Sequence, residues 1–184
     1  KAQNNLNISR LGTFAEVDVG TVTGANKFFV VSKDIIEKYN FQSISLPLVG
    51  RSIHLDGFIF TKDDWNKNSK KNIPSYLLNF PDTKYENYSQ KMIEYIQSGE
   101  KNEIHKRYKT RIRKRWYQVP SIWKPDAFLL RRSHKFPKLI LNHAKSHTTD
   151  TMHRVKLKNG FDIESLTFCF YNSITMASSE LVGR

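Results

Sequence analysis

Hydrophobic and polar positions alternate in short blocks along this chain, and few blocks are long enough for more than one turn of helix or one strand. Residues 13–31 predict two strands around a turn: Gly24 and Asn26 suit the positive φ of a tight turn, and 28–31 are strand formers. Ser32 then reads as a helix N-cap, with Asp34 in the first turn and Ile35, Ile36 and Tyr39 as a short apolar face. Residues 57–60 predict a short strand, and Thr61 caps a short helix carrying Asp63, Asp64 and Trp65. The lysine-rich stretch 66–72 reads as an exposed loop, and 76–80 as a further strand.

The clearest helical period covers 84–98, where Tyr85, Tyr88, Met92, Tyr95 and Ile96 share one face and Gly99 ends the helix. A second helix over 100–110 is predicted to turn Ile104 and Tyr108 inward, with Ile112 extending the stripe. Three short strands follow at 116–119, 127–131 and 139–142, punctuated by Pro120, Pro125 and Pro137. Residues 153–157 alternate Arg and Lys, read as outward, with Val and Leu, read as inward, and close at the turn Asn159-Gly160. A last helix is expected over 162–181 with Asp162 as its cap. Short strands and helices mixed in this way predict an α+β fold, a single domain over residues 1–184 without internal repeats.

Charge changes this picture most. The formal net charge is +13, and between His105 and Arg154 lie 14 Lys and Arg residues against only Asp126 and Asp150. A positive field so localised concentrates polyanions at one face. The run is interleaved with Tyr108, Trp116, Tyr117 and Trp123, which a merely solubilising surface does not require. Nucleic acid is the expected partner. Lys106, Arg107, Lys109, Arg111, Arg113, Lys114, Arg115, Arg131 and Arg132 are the candidates for the phosphate backbone. Trp116 and Tyr117 read as base-stacking residues or, for one of the two, as core.

The most polar stretch, 142–154, supplies candidates for reading base edges: Ser146, His147, Thr149, Asp150, Thr151, His153 and Arg154, with Asn26 and Lys27 beside them. Its spacing of His143, His147 and His153 also admits a metal-dependent nuclease, though Asp150 alone is a thin fourth ligand and the expected metal set is none. An RNA-binding module is the remaining alternative. Cys169, the single cysteine, excludes an internal disulfide and sits in an apolar run that reads as a buried thiol. Val22 to Lys27 lacks the second glycine and the Lys-Ser/Thr ending of a phosphate-binding loop, and no nucleophile elbow or dinucleotide fingerprint occurs. No stretch is long and apolar enough to span a bilayer, and the first residue is Lys rather than Met. The expectation is a soluble intracellular piece of a longer protein, with no catalytic residue of its own.

Four segments, in order, carry a resemblance. Thr21-Val22-Thr23-Gly24-Ala25-Asn26-Lys27-Phe28-Phe29 resembles the "VTGxNxFF" segment that opens the C-terminal region of many N6-adenine DNA methyltransferases. Trp116-Tyr117-Gln118-Val119-Pro120 with Pro125-Asp126-Ala127-Phe128 resembles a mid-domain segment of that family. So does Lys138-Leu139-Ile140-Leu141-Asn142 followed by Thr149-Asp150-Thr151-Met152-His153-Arg154. Ser173-Ile174-Thr175-Met176-Ala177 with Glu180-Leu181-Val182-Gly183-Arg184 resembles the helix that precedes the family's glycine-rich stretch. That stretch, the catalytic Asn/Asp-Pro-Pro-Tyr/Phe motif and the S-adenosylmethionine-binding glycine motif do not occur in this sequence. The resemblance therefore implies the target-recognition domain of a restriction–modification methyltransferase that binds double-stranded DNA. Methyl transfer to a flipped adenine, and S-adenosylmethionine with it, would belong to an N-terminal catalytic domain outside the chain. Mg²⁺ would enter only if a nuclease is fused to the parent.

Overall fold

A computed structural model describes residues 9–132 and 136–182 of the chain. The strands form two sheets that the chain visits in alternation. The larger runs β1 (Ala15–Val19), β9 (Met152–Leu157), β6 (Ala127–Leu130), β7 (Leu139–Asn142) and β4 (Ile59–Phe60). Its first four strands pair antiparallel, and β4 joins β7 in parallel. The smaller sheet runs β2 (Val30–Val31), β5 (Tyr76–Leu78), β3 (Ser45–Val49) and β8 (His147–Thr148), the last pair parallel. Helices α1 (Leu11–Phe14), α2 (Asn26–Phe29), α3 (Lys33–Tyr39), α4 (Lys62–Lys70), α5 (Gln90–Lys101), α6 (Tyr108–Arg111), α7 (Ile163–Phe170) and α8 (Ser173–Val182) complete an α+β fold.

Three apolar clusters hold these layers. Phe28, Phe29, Phe41, Leu77, Leu78, Tyr95, Ile96 and Tyr117 pack between the smaller sheet and α2, α3 and α5. Val49, Phe60, Phe128, Ile140 and Met152 join the two sheets. On the opposite face of the larger sheet, Ala15, Ala127, Leu139 and Val155 receive Ile163, Leu166 and Phe170 from α7. Each fully buried Phe or Leu contributes roughly 1.5–3 kcal/mol relative to exposure.

Several elements differ from the sequence reading for identifiable reasons. Residues 13–31 are not a hairpin, because β1 and β2 belong to different sheets. Gly24 does take φ 72°, but Asn26 opens α2. The Thr23 hydroxyl organises that turn, accepting from the Ala25 amide at 3.2 Å and donating to Asn26 Oδ1. The stretch 66–72 is not a loop throughout, because α4, opened by the reciprocal capping box of Thr61 and Asp64, runs on to Lys70. In 84–98 the helix begins only at Gln90, where the Ser89 hydroxyl accepts from the Met92 amide at 3.3 Å.

Gly99 does not end that helix but lies within it. A Cβ there would overlap the Trp116 ring and stand 2.6 Å from Phe28, so glycine is what admits the two aromatics. Glu103 then takes a left-handed φ of 56° and resets the helical period. Ile104 is buried as predicted, but Tyr108 and Ile112 turn outward, against the predicted stripe. Residues 116–119 form no strand. The last predicted helix is two, broken where the Tyr171 hydroxyl leaves the helix line to pair with both backbone groups of Leu139, at 2.9 and 2.6 Å. Asp162 caps α7 as expected, accepting from the Ser165 amide at 2.7 Å, whereas Cys169 is exposed rather than buried. The Gly183-Arg184 end of the fourth resembling segment lies outside the described residues.

Candidate nucleic-acid interface

After β1 the chain crosses from the larger sheet toward the smaller through 20–24, and this crossing is fastened at every step. Gly20 has no room for a Cβ, which would overlap the Thr149 carbonyl. The Thr21 amide donates to the Thr148 carbonyl at 2.9 Å. Arg113 Nη2 then donates to the carbonyls of Val22 and Thr23 at 3.1 and 2.8 Å, and its guanidinium lies 5.7 Å from the Phe29 ring centroid. Burial lowers the Arg113 pKa from the ordinary arginine value, although a guanidinium stays charged at neutral pH. Lys109 completes the contact: a Cβ on Gly24 would lie 2.6 Å from the Lys109 Cβ. Exposed Asn26 and Lys27 follow two and three residues beyond Gly24, the point at which this loop meets α6. The sequence had no local signal for this pairing of two distant segments.

The basic tract divides into two populations. Lys106, Arg107, Lys109, Arg111 and Lys114 are exposed. Lys106 meets Glu103 at 2.6 Å in an ion pair with both partners in solvent, a weak tie that a phosphate can displace. Arg113 is committed to backbone carbonyls, and Arg115 is largely covered and paired with Asp82. These two build the surface rather than line it. Arg131 and Arg132 are exposed, Arg131 donating to the Asp150 carbonyl at 3.4 Å.

The aromatic pair after the tract faces inward. Tyr117 is buried among Phe80, Tyr88 and their neighbours. Trp116 is partly buried against Phe28 and donates from its indole to Glu100 at 3.2 Å.

The polar stretch 142–154 is placed very differently from the sequence expectation. It links the two sheets, and its three threonine hydroxyls are spent on that link. Asn142 donates to the carbonyls of Pro125 and Ser146, both at 2.8 Å, and accepts from the Ser146 amide at 3.0 Å. Thr148 donates to the Val49 carbonyl at 2.9 Å. Thr149 and Thr151 both donate to the Gly50 carbonyl, at 3.2 and 2.8 Å. Ser146, His147 and Thr149 are buried, Asp150 and His153 half-buried, and only Thr151 is exposed among the proposed readers of this stretch besides Asn26 and Lys27. Burial drives the His147 pKa down to about 4, with the charges of Lys124 and Arg154 adding to it against a contact with the Trp123 backbone.

Arg154 corrects the strand reading most sharply. It is 3% exposed, not outward. β9 lies between β1 and β6 with apolar clusters on both faces, so alternation along it separates two interiors rather than core from solvent. Each of its guanidinium nitrogens donates a hydrogen bond, to the Val19 carbonyl at 2.9 Å, the Ser121 carbonyl at 2.6 Å and the Asp18 carboxylate at 2.8 Å. It also stacks on Trp123, 4.1 Å from the ring centroid.

The histidines do not gather. His143 is exposed and 3.4 Å from Glu164, while His147 is buried in β8. Among the described residues, no group of three or more His, Cys, Asp or Glu side chains is arranged to hold a metal. No helix among them is long and apolar enough to cross a membrane.

Comparison with known proteins identifies the setting of this surface. A family model described as "Type II methyltransferase M.Eco57I, C-terminal domain" matches residues 1–184. The chain is also similar to the type II methyltransferase M.AccI of Acinetobacter calcoaceticus, 30% identical over 121 residues. That match covers 64% of this chain and only 22% of the relative, so the chain corresponds to a minor part of that enzyme's length. From end to end, this chain belongs to the family of C-terminal domains of type II methyltransferases typified by that of M.Eco57I.

Proposed function

We propose that this domain is the target-recognition module of a restriction–modification methyltransferase, binding double-stranded DNA and holding it in register for an N-terminal catalytic domain. The observation that carries this reading is the exposed cationic set Lys106, Arg107, Lys109, Arg111 and Lys114, presented on a backbone that Arg113 ties to the 22–24 loop. Long cations on an anchored backbone suit phosphates, which fix position without reading sequence. Asn26, Lys27 and Thr151, all exposed, are the residues left to touch base edges. In this reading the substrate base is adenine, methylated at N6. S-adenosylmethionine is bound by the catalytic domain, and the domain described here contributes no reacting group. The setting is the bacterial cytoplasm.

Mobility-shift titration of the chain against duplex DNA, single-stranded DNA and duplex RNA over a salt series tests the proposal. The expected result is preference for duplex DNA, with a steep fall in affinity with salt corresponding to about 5–8 phosphates. Absence of binding at low salt, or preference for RNA, overturns it.

A further inference from the structure

The basic face carries two large apolar side chains that nothing in the fold accounts for. Tyr108 is 63% exposed and Ile112 62% exposed, the first in α6 and the second at its C-cap. Ile112 retains right-handed helical backbone, so the two, four residues apart, lie on one face of the turn. They stand in the middle of the exposed cations, with Lys109 Nζ 5.5 Å and the Arg111 guanidinium 5.9 Å from the Tyr108 ring centroid.

Their turn is held firmly. Thr110, between them, is fully buried and donates its hydroxyl to the carbonyls of Ile104 and Arg107. Lys109 packs on Gly24 and Arg113 grips the 22–24 loop from the other end. An apolar pair exposed by accident on a mobile loop would not be braced from three sides.

We infer that Tyr108 and Ile112 form an apolar wedge that presses into a base step of bound duplex DNA while the flanking cations hold the phosphates on either side. The inference rests on the DNA-binding reading above and adds the group that deforms the duplex. Charge complementarity selects the occupant, since an apolar pair flanked by Lys109 and Arg111, within a run that also exposes Lys106, Arg107 and Lys114, matches base faces bordered by phosphates. An aromatic face and a β-branched side chain suit partial unstacking, and the contact tolerates sequence because every base has a π-face.

The test uses the full chain and a mixed-sequence duplex carrying a fluorescence donor and acceptor at its two ends. Binding of the wild type is expected to shorten the end-to-end distance, reporting a kink. The Tyr108→Ala/Ile112→Ala double variant, whose side chains lie in solvent, should fold with unchanged circular dichroism. It should lose the kink and about tenfold or more in affinity, with the salt slope unchanged. A Tyr108→Trp variant should show emission quenched and shielded from acrylamide on adding the duplex. Unchanged affinity and kink in the double variant overturn the wedge while leaving DNA binding intact. Failure of the wild type to bind the duplex removes both. A Tyr108→Trp signal that the duplex does not alter also overturns the wedge.

Discussion

Arg154 Nη2 donates to the Asp18 carboxylate at 2.8 Å across the junction of β9 and β1, from a side chain that is 3% exposed to one that is 58% exposed. With Arg113 holding Val22 and Thr23, the relationship means that both ends of the 18–24 crossing are fastened by a guanidinium. One arginine from the 106–115 run and one from the polar stretch thus act on the same short segment, and through it on where Asn26 and Lys27 stand.

Arg154→Met is expected to destabilise the fold by about 3–5 kcal/mol, because it strands buried carbonyl acceptors and removes the Trp123 stack. Asp18→Asn, at the solvent end of the pair, should cost about 1 kcal/mol or less. Urea denaturation of both variants measures this. Loss of DNA affinity in Arg154→Met should track the unfolded fraction; a fully folded variant with altered site preference would restore Arg154 as a reader.

Charge removal should separate grip from scaffold. Lys109→Gln, Arg111→Gln and Lys114→Gln are each expected to lower the slope of log affinity against log salt by about 0.9 with little change in melting temperature. Arg113→Gln should do the reverse: a lowered melting temperature from the vacated carbonyls of Val22, Thr23 and Trp116 and a slope nearly that of wild type. Equal slope changes at all four positions would contradict the division drawn between exposed and committed cations.

Stability should fall on acidification in part through the buried imidazole of His147. His147 is neutral in the fold with a pKa of about 4, whereas in the unfolded chain it titrates near 6.5. The unfolded state therefore binds the extra proton first, and stability declines as pH drops from about 6.5 to about 4, by up to about 3 kcal/mol. His147→Asn should flatten this part of the profile, checked by chemical denaturation at several pH values. A profile unchanged by the substitution would place the acid sensitivity elsewhere.

Gly99→Ala should destabilise by about 1–3 kcal/mol even though alanine has the higher helix propensity, because its methyl meets Trp116 and Phe28. Pairing it with Trp116→Phe should recover part of the loss, and calorimetric melting of the single and double variants reads the coupling. A stabilised single variant would show that the ring moves aside freely.

Signals written locally were legible in advance. Thr61 and Asp162 as helix caps, Gly24 at positive φ, and the apolar strands at 127–131 and 139–142 all appear where the residues point, since each depends on neighbours within a few positions. The α+β class follows from the same local rules. Element ends went astray where a single residue reset the period, as Glu103 does between Ile104 and Tyr108, or where a distant backbone claimed a side chain, as Leu139 claims Tyr171.

By itself the sequence determined that a dense positive charge lies in one part of the chain, that its elements are short and mixed, and that its segments resemble a methyltransferase specificity region. Only the tertiary structure decided which charges are free. Whether an arginine faces water or a carbonyl depends on which strand lies beside it and what covers the sheet's other face, and those partners are some hundred residues away. Arg154 and Lys109 read alike along the chain, yet one is buried between β1 and β6 while the other stands in solvent beside Gly24. Desolvating an ion requires that its hydrogen bonds be replaced, and only a three-dimensional arrangement can supply the replacements.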